Sequence, residues 1–268
     1  MNIQDLYIYP IKSLGGIRIT EGKVLQKGFE LDRRFMLVDE AGKFVTQRVE
    51  HKLALLQTSI SNHSIQVRNK LTHESLEVPF SNTAQEITVT VWDDVIQAVE
   101  LSEELNEWFS DYLRKPVKLV YQPEIFKRPV DQKYARNDEQ VSFADAFPFL
   151  LISQASLDDL NARLETPVPM NRFRPNLVVQ GTDPYEEDSW TEIQIGKVNF
   201  LVAKPCARCV LTTVDQETAI KGKEPLATLA KYRTVNSKVM FGQNLIALNE
   251  GTVQVGDTVK VISRKVNQ

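Results

Sequence analysis

The sequence has few of the residues that most often bind metals or cross-link a chain. Its 268 residues include 2 cysteines and 3 histidines. Two cysteines cannot form the disulfide framework of a small secreted protein, so we expect a reducing, intracellular setting. The histidines all lie in the N-terminal half, at His51, His63 and His73. No two of them have the spacing of a zinc site, and there is one C-x-x-C without a second, so structural zinc is disfavoured.

Long apolar segments and a strong charge excess are also absent. The longest apolar run, "FPFLLI" at 147–152, is far shorter than the roughly 20 residues that span a bilayer. A net charge of -3 and a pI near 5.8 argue against nucleic-acid binding through bulk electrostatics. The N-terminus lacks the basic and apolar segments of a signal peptide. We therefore expect a cytoplasmic protein without a membrane or nucleic-acid partner.

Short apolar segments separated by turns dominate the chain. The stretch "RRFMLVDEAGKFVTQR" predicts a hairpin with Gly42 in its turn, and the residues after Cys209 predict a strand. Helical spacing is confined to short segments, one of them opened by Ser156. The polar stretch "VDQKYARNDEQ" indicates an exposed loop between two halves. We predict a mainly β, barrel-like protein with a few short helices, divided into residues 1–120 and 121–268.

The two cysteines lie together in "NFLVAKPCARCVLTTVD", as Cys206 and Cys209. A thioredoxin-type pair lies at a helix N-terminus, whereas the residues that follow here are β-branched, so a redox pair is disfavoured. Buried, inert thiols are one alternative. Lys204 and Arg208 flank the pair, and cations favour the thiolate that binds a soft metal. The residues leave a metal-binding cysteine open and do not identify the metal.

Five motifs occur in an order that matches a known family. They are "YPIKS", "LDRRFMLVDEAGKFVTQR", "NRFRPNLVV", "CARCVLTTVD" and "FGQN…GTVQVGDTV". In these motifs the chain resembles the molybdenum-cofactor enzymes built from an N-terminal β-barrel domain and a MOSC domain, such as the mitochondrial amidoxime-reducing component and its bacterial counterparts. The resemblance implies a MOSC N-terminal β-barrel domain at 1–120, a MOSC domain at 121–268 and a molybdopterin between them.

The resemblance also implies the site. Cys209 would ligate molybdenum and be the catalytic residue, with Cys206 as a neighbour. The cofactor would be bound by seven residues with polar or charged side chains: Lys12, Ser13, Arg34, Asp145, Arg174, Asn176 and Arg208. Arginine and lysine suit an anionic cofactor because they form charge-assisted hydrogen bonds. Arg33 and Arg34 would point to opposite faces of an extended strand, so we expect no more than one at the site.

The activity implied by the resemblance is reduction of N-hydroxylated compounds, meaning amidoximes, hydroxylamines or N-hydroxylated bases. With no further cysteines for an iron–sulfur cluster, the electrons would come from a separate ferredoxin-, flavin- or cytochrome-type reductase. Two alternatives stay open. One is a carrier that transfers the molybdenum cofactor, or sulfur as a Cys209 persulfide. The other is a thiol–disulfide protein in which both cysteines matter equally.

Overall fold

Strands make up most of the fold. The computed structural model describes residues 1–80 and 85–265. Its strands are β1 (Asn2–Ile8), β2 (Ile17–Ile19), β3 (Glu21–Leu25), β4 (Gly28–Phe29), β5 (Phe35–Val38), β6 (Leu56–Ile60), β7 (Ser64–Asn69), β8 (Ser75–Pro79), β9 (Glu86–Val91), β10 (Asp94–Glu100), β11 (Lys118–Tyr121), β12 (Phe149–Ser153), β13 (Leu177–Gln180), β14 (Trp190–Ile195), β15 (Val198–Ala207), β16 (Thr234–Val235), β17 (Lys238–Ala247), β18 (Gly251–Gln254) and β19 (Val259–Arg264). Its α-helices are α1 (Glu103–Leu113), α2 (Gln154–Asn161) and α3 (Leu226–Ala230). The predicted mainly β fold with a few short helices is confirmed.

The largest sheet has nine strands and joins both ends of the chain. Its order is β19-β14-β15-β17-β12-β13-β1-β2, with β16 paired to β17. The N-terminal strand β1 runs antiparallel to β13, with Leu6 opposite Leu177. Ile3 and Leu6 are fully buried in the same core as Phe149 and Trp190. Residues before 120 therefore contribute strands to a sheet that otherwise belongs to the second half, and the division at 120/121 stays a prediction.

Three smaller sheets complete the fold. They are β5-β11-β10-β9, β18-β3-β4 and β6-β7-β8. Helix α1 packs on a second core because Leu105, Phe109 and Leu113, four residues apart, are its buried residues. Arg114 ends the helix in the left-handed conformation with φ 53°.

Local hydrogen bonds decide three details of the predicted elements. Gly42 has φ +75°, as the predicted turn requires. The residues after Cys209 form a 3₁₀ helix, Val210–Thr213, and the predicted strand there is wrong. The Thr212 and Thr213 hydroxyls donate to carbonyls three residues earlier, at 3.0 and 2.7 Å, which favours a turn over a strand. Helix α2 begins before Ser156, because the Ser153 hydroxyl accepts from the Ser156 amide at 3.1 Å.

Candidate cofactor site

A cavity of about 130 Å³ lies where several segments that are distant in the sequence meet. Five cationic side chains and one carboxylate are among the residues that line it: Lys12, Arg33, Arg48, Arg174, Arg208 and Asp145. Ser13, Asn176, Cys206 and Cys209 line it too. The structure thus brings together every predicted site residue except Arg34, and it adds Arg33 and Arg48.

Lys12 and Arg48 reach one wall of the cavity and converge on Asp145. The Lys12 ammonium donates to one carboxylate oxygen at 2.6 Å and to the Phe143 carbonyl at 2.6 Å. Arg48 donates to the other oxygen at 2.5 Å. Burial lowers the pKa of Lys12 to about 8, although Asp145 opposes the shift. Burial would raise the pKa of Asp145, but Lys12 and Arg48 hold that pKa well below its usual range, so the carboxylate is ionised at neutral pH.

Cys209 lies at the cavity with its sulfur beside Arg48. The Nε–H of Arg48 donates to the sulfur at 3.4 Å, and Cys209 is exposed. Burial lowers the pKa of Arg48, but Asp145 and Cys209 outweigh burial and raise it above its ordinary value. The thiol at position 209 is therefore accessible and next to a permanent cation, the environment in which a cysteine acts as a ligand or a nucleophile.

Cys206 is placed differently. It is less exposed and packs against the core around Phe173 and Phe241. Its sulfur accepts from Arg208 at 3.1 Å. The same arginine donates to the Phe173 carbonyl at 2.6 Å, while its Nε is buried and without a partner among the described residues. Cys206 thus helps to hold Arg208, whose free donor is left for a ligand.

The Tyr9 ring contacts two of the arginines that line the cavity. The guanidinium carbons of Arg33 and Arg174 lie 4.3 and 4.2 Å from the centre of its ring. Arg33 is neutralised locally, since it donates to Asp32 at 2.6 Å and to Asn176 at 3.0 Å. Arg174 is 7% exposed, and no described residue pairs with its guanidinium through an ion pair or a hydrogen bond. Burial lowers the pKa of Arg174 to about 10.

Ser13 and Asn176 have their conformations set by neighbouring groups. Ser13 is buried in the left-handed region with φ 72°, and its carbonyl accepts from Gln47 at 2.9 Å. The Asn176 oxygen accepts from Arg33 and from the Leu150 amide, and its nitrogen donates to the Tyr7 carbonyl at 3.1 Å. Asn176 therefore holds Arg33 in place with the polar atoms of its side chain.

Arg34 lies outside the cavity, contrary to the sequence prediction. It donates to the Gln122 carbonyl at 3.1 Å and pairs with Glu124. Lys27 donates to three carbonyls of the same segment, those of Pro123, Glu124 and Phe126. Arg33 lies in a turn with φ 50° and not in an extended strand, and it faces the cavity because Asp32 and Asn176 hold it there. Arg34 instead fixes the segment that connects the two halves.

Two further arginines position the loops of the site. Arg172 is 7% exposed and donates to the Thr212 carbonyl at 2.9 Å, to Asp215 at 3.3 Å and to the Glu224 carbonyl at 3.2 Å. Arg128 donates to the Ser142 and Ala144 carbonyls at 2.8 and 2.5 Å. Arg172 thus anchors the 3₁₀ helix that follows Cys209, and Arg128 anchors the loop that carries Asp145.

Sequence reasoning missed Arg33 and Arg48 as lining residues. Both lie within the "LDRRFMLVDEAGKFVTQR" motif, at its start and its end. A hairpin brings the two ends of its sequence together, so a cation at each end was a usable signal. Among residues 1–80 and 85–265, no group of three or more His, Cys, Asp or Glu residues could hold a metal ion.

Known proteins match the chain over nearly its whole length. The model of the MOSC N-terminal β-barrel domain matches residues 1–116, and that of the MOSC domain matches residues 138–260. Mitochondrial amidoxime-reducing component 1 of Homo sapiens is 33% identical over 98% of this chain and 83% of its own length. The Mus musculus protein of that name is 36% identical over 98% and 82%. Mitochondrial amidoxime reducing component 2 of Rattus norvegicus is 34% identical over 96% and 82%.

The chain belongs to the MOSC-domain family of amidoxime-reducing components. The resemblance read from the motifs is confirmed, and so is the prediction of an oxidoreductase, since the family is enzymatic. The expected cytoplasmic location is wrong, because the relatives are named as mitochondrial proteins. Within the described part of the chain, no helix has the length and apolar character needed to cross a membrane.

Proposed function

We propose that this protein is a molybdenum-cofactor-dependent reductase of N-hydroxylated compounds. The observation that carries the proposal is the Arg174 guanidinium, which is 7% exposed at a cavity wall and has no acceptor or carboxylate partner among the described residues. The Tyr9 ring contacts this guanidinium but supplies no counter-charge. A buried cation without a counter-charge is costly, so the cavity suits an anion. The relatives act on amidoximes by name, which supplies the substrate class.

The cavity fits the molybdenum cofactor in both charge and ligand chemistry. Lys12, Arg174 and the free Nε of Arg208 converge from three segments, as a phosphate-bearing ligand requires. Cys209 presents one accessible sulfur to the same cavity, a soft ligand of the kind that molybdenum accepts. When bound, the cofactor supplies the two-electron removal of oxygen from nitrogen.

The residues around the sulfur have separate roles in the proposed reaction. Arg48 donates a hydrogen bond to the Cys209 sulfur and so holds that sulfur in position at the cavity. Asp145, ionised and half exposed at 51%, can accept a hydrogen bond from a substrate N–H or O–H at the cavity mouth. Lys12 offsets the charge of Asp145 and remains protonated below pH 8. The electrons come from a separate donor protein, which is also part of this proposal.

The rival proposal is a carrier that transfers the cofactor, or sulfur as a Cys209 persulfide. The exposed sulfur favours it, because a transferable group has to be reached by a partner. The buried Arg174 opposes it, because a buried cation with no counter-charge among the described residues favours an anionic cofactor that stays bound.

The test compares the two cysteines. Wild type, Cys209→Ala and Cys206→Ala are purified from a host that makes the cofactor. Molybdenum per chain, sulfane sulfur and benzamidoxime reduction with a chemical electron donor are then measured. We expect about one molybdenum per wild-type chain and at least a roughly hundredfold loss of activity in Cys209→Ala. Cys206→Ala should lose much less.

Three other results would contradict this proposal. Low molybdenum with sulfane sulfur in the wild type would favour the carrier. Stoichiometric molybdenum and full activity in Cys209→Ala would refute the ligand assignment. Equal loss in the two single variants would favour a thiol–disulfide protein.

A further inference from the structure

An exposed tryptophan at the rim of the cavity has no part in the proposed binding of the cofactor. Trp92 lies in the turn between β9 and β10, and 48% of it is exposed. Its φ of +57° is in the left-handed region, which bulky residues rarely adopt. The two-residue turn between the paired Val91 and Asp94 accounts for this conformation, because such hairpin turns need a positive φ at their first central residue.

Three contacts hold the indole at the rim. Its Nε1–H donates to Asp145 at 3.3 Å. The Arg48 guanidinium lies over the ring, 4.5 Å from the centroid, and the Phe44 ring lies 5.2 Å away. Because Arg48 also donates to the Cys209 sulfur, a single side chain separates the indole from that sulfur. Trp92 is therefore placed beside the reacting end of the cavity.

The chemistry of this rim differs from that of the rest of the cavity. Elsewhere the cavity is lined by apolar residues and by Lys12, Arg174 and Arg208, cations that suit a phosphate. Here a guanidinium lies over an indole ring, and both donate to one ionised carboxylate. Aromatic and guanidinium planes bind flat conjugated molecules by stacking, and a carboxylate accepts from their N–H and O–H groups.

We propose that Trp92 and Arg48 form a stacking platform for the planar, conjugated body of an N-hydroxylated substrate, with Asp145 accepting a hydrogen bond from it. This inference rests on the proposed reductase function and names the substrates that it favours. Aromatic amidoximes and N-hydroxylated bases have a planar body that the platform can hold. Hydroxylamine has none, so it gains nothing from stacking.

The test measures kcat/KM for benzamidoxime and for hydroxylamine with the cofactor-loaded enzyme. The variants are Trp92→Ala, Trp92→Phe and the control Val95→Ala, which alters a residue of the same hairpin that is 68% exposed. We expect the ratio of the two kcat/KM values to fall roughly five- to tenfold in Trp92→Ala, chiefly through KM for benzamidoxime. Trp92→Phe keeps a ring and loses the Nε1–H, so its ratio should stay within about threefold of wild type. Val95→Ala should keep the wild-type ratio.

Two results would overturn the platform. If Trp92→Phe loses as much as Trp92→Ala, Trp92 acts by positioning Asp145 and not by stacking. If Trp92→Ala lowers both kcat/KM values equally, the Trp92 side chain does not discriminate between planar substrates and hydroxylamine.

A binding measurement separates failure of this inference from failure of the proposed function. Equilibrium dialysis of benzamidine, a planar probe, against loaded wild type and Trp92→Ala does not depend on turnover. Weaker binding to Trp92→Ala with an inactive wild type would keep the platform and refute the reductase. Equal binding to both proteins with an active wild type would refute the platform and keep the reductase.

Discussion

At the residue scale, neighbouring side chains of one type have different roles because of what they touch. Arg33 and Arg34 are adjacent, yet Arg33 faces the cavity beside Arg174 and Arg34 binds the segment at 122–124. Arg172 and Arg174 are likewise close in sequence, yet Arg172 donates to the Thr212 carbonyl, whereas Arg174 lines the cavity and contacts the Tyr9 ring. The identity of a cation therefore says little about its role until its partners are known.

The Arg33 and Arg34 pair supplies a matched test. Arg33→Gln should reduce retention of the cofactor about tenfold, because the variant removes a cation beside Arg174 and a donor to Asn176. Arg34→Gln should leave retention close to wild type and lower the melting temperature, because it frees the connecting segment. The measurements are molybdenum per chain after gel filtration and thermal unfolding. If Arg34→Gln lost molybdenum while its melting temperature stayed at the wild-type value, Arg34 would be a cofactor-binding residue after all.

Lys12 makes cofactor binding depend on pH. Its pKa in the folded protein is about 8, and a bound anion raises that pKa because it favours the charged ammonium. Above pH 8 the empty cavity has lost this proton, so binding must take up a proton there and the affinity falls as pH rises. Below pH 8 the ammonium is already charged and Lys12 adds no such dependence.

The measurement is cofactor retention between pH 7 and roughly 9.5, a range set by the ordinary lysine pKa. We expect retention to decline above pH 8 in wild type and to stay nearly level in Lys12→Arg, since arginine keeps its charge. An identical decline in both proteins would assign the effect to another group.

At the element scale, the 3₁₀ helix Val210–Thr213 is held from outside by Arg172. That buried guanidinium joins the Thr212 carbonyl, Asp215 and the Glu224 carbonyl. Without it three acceptors would lose a charged donor, and the turn that carries Cys209 would lose its anchor.

Replacing this arginine should therefore destabilise the protein. We expect Arg172→Met to lower the free energy of unfolding by about 2–3 kcal/mol, the range for hydrogen bonds to a buried charge. Arg136→Met, which removes an exposed ion pair with Glu192, should have a much smaller effect. Urea unfolding of both variants measures the difference. Equal effects would show that Arg172 contributes no more than a surface pair.

At the scale of the whole molecule, the shared sheet ties the two halves together. Strand β1 is hydrogen-bonded on one side to β13 and on the other to β2, and its residues lie in the core that contains Phe149 and Val253. Halves that share a sheet and a core cannot unfold independently, because separating them exposes the apolar faces of both.

Calorimetry should therefore show one unfolding transition. Leu6→Ala, at a fully buried position of β1, should lower the free energy of unfolding by about 2–5 kcal/mol and shift the whole transition. Two separate transitions, of which Leu6→Ala moved only one, would contradict the shared core.

The sequence by itself determined the fold class, the family and most of the candidate site. Alternating short segments define strands through local periodicity, and the motifs that contain Lys12, Arg174 and Cys209 point to residues that line the cavity. Both features depend only on the type and order of the residues, so they can be identified without knowing how the segments pack.

Only the tertiary structure decided which arginine faces the cavity, that Arg48 reaches Cys209, and that β1 completes the distant sheet. Each depends on contacts between residues far apart in the chain, which local spacing does not encode. The 3₁₀ helix after Cys209 is similar: β-branched residues predict a strand, and threonine hydroxyls together with Arg172 favour the turn.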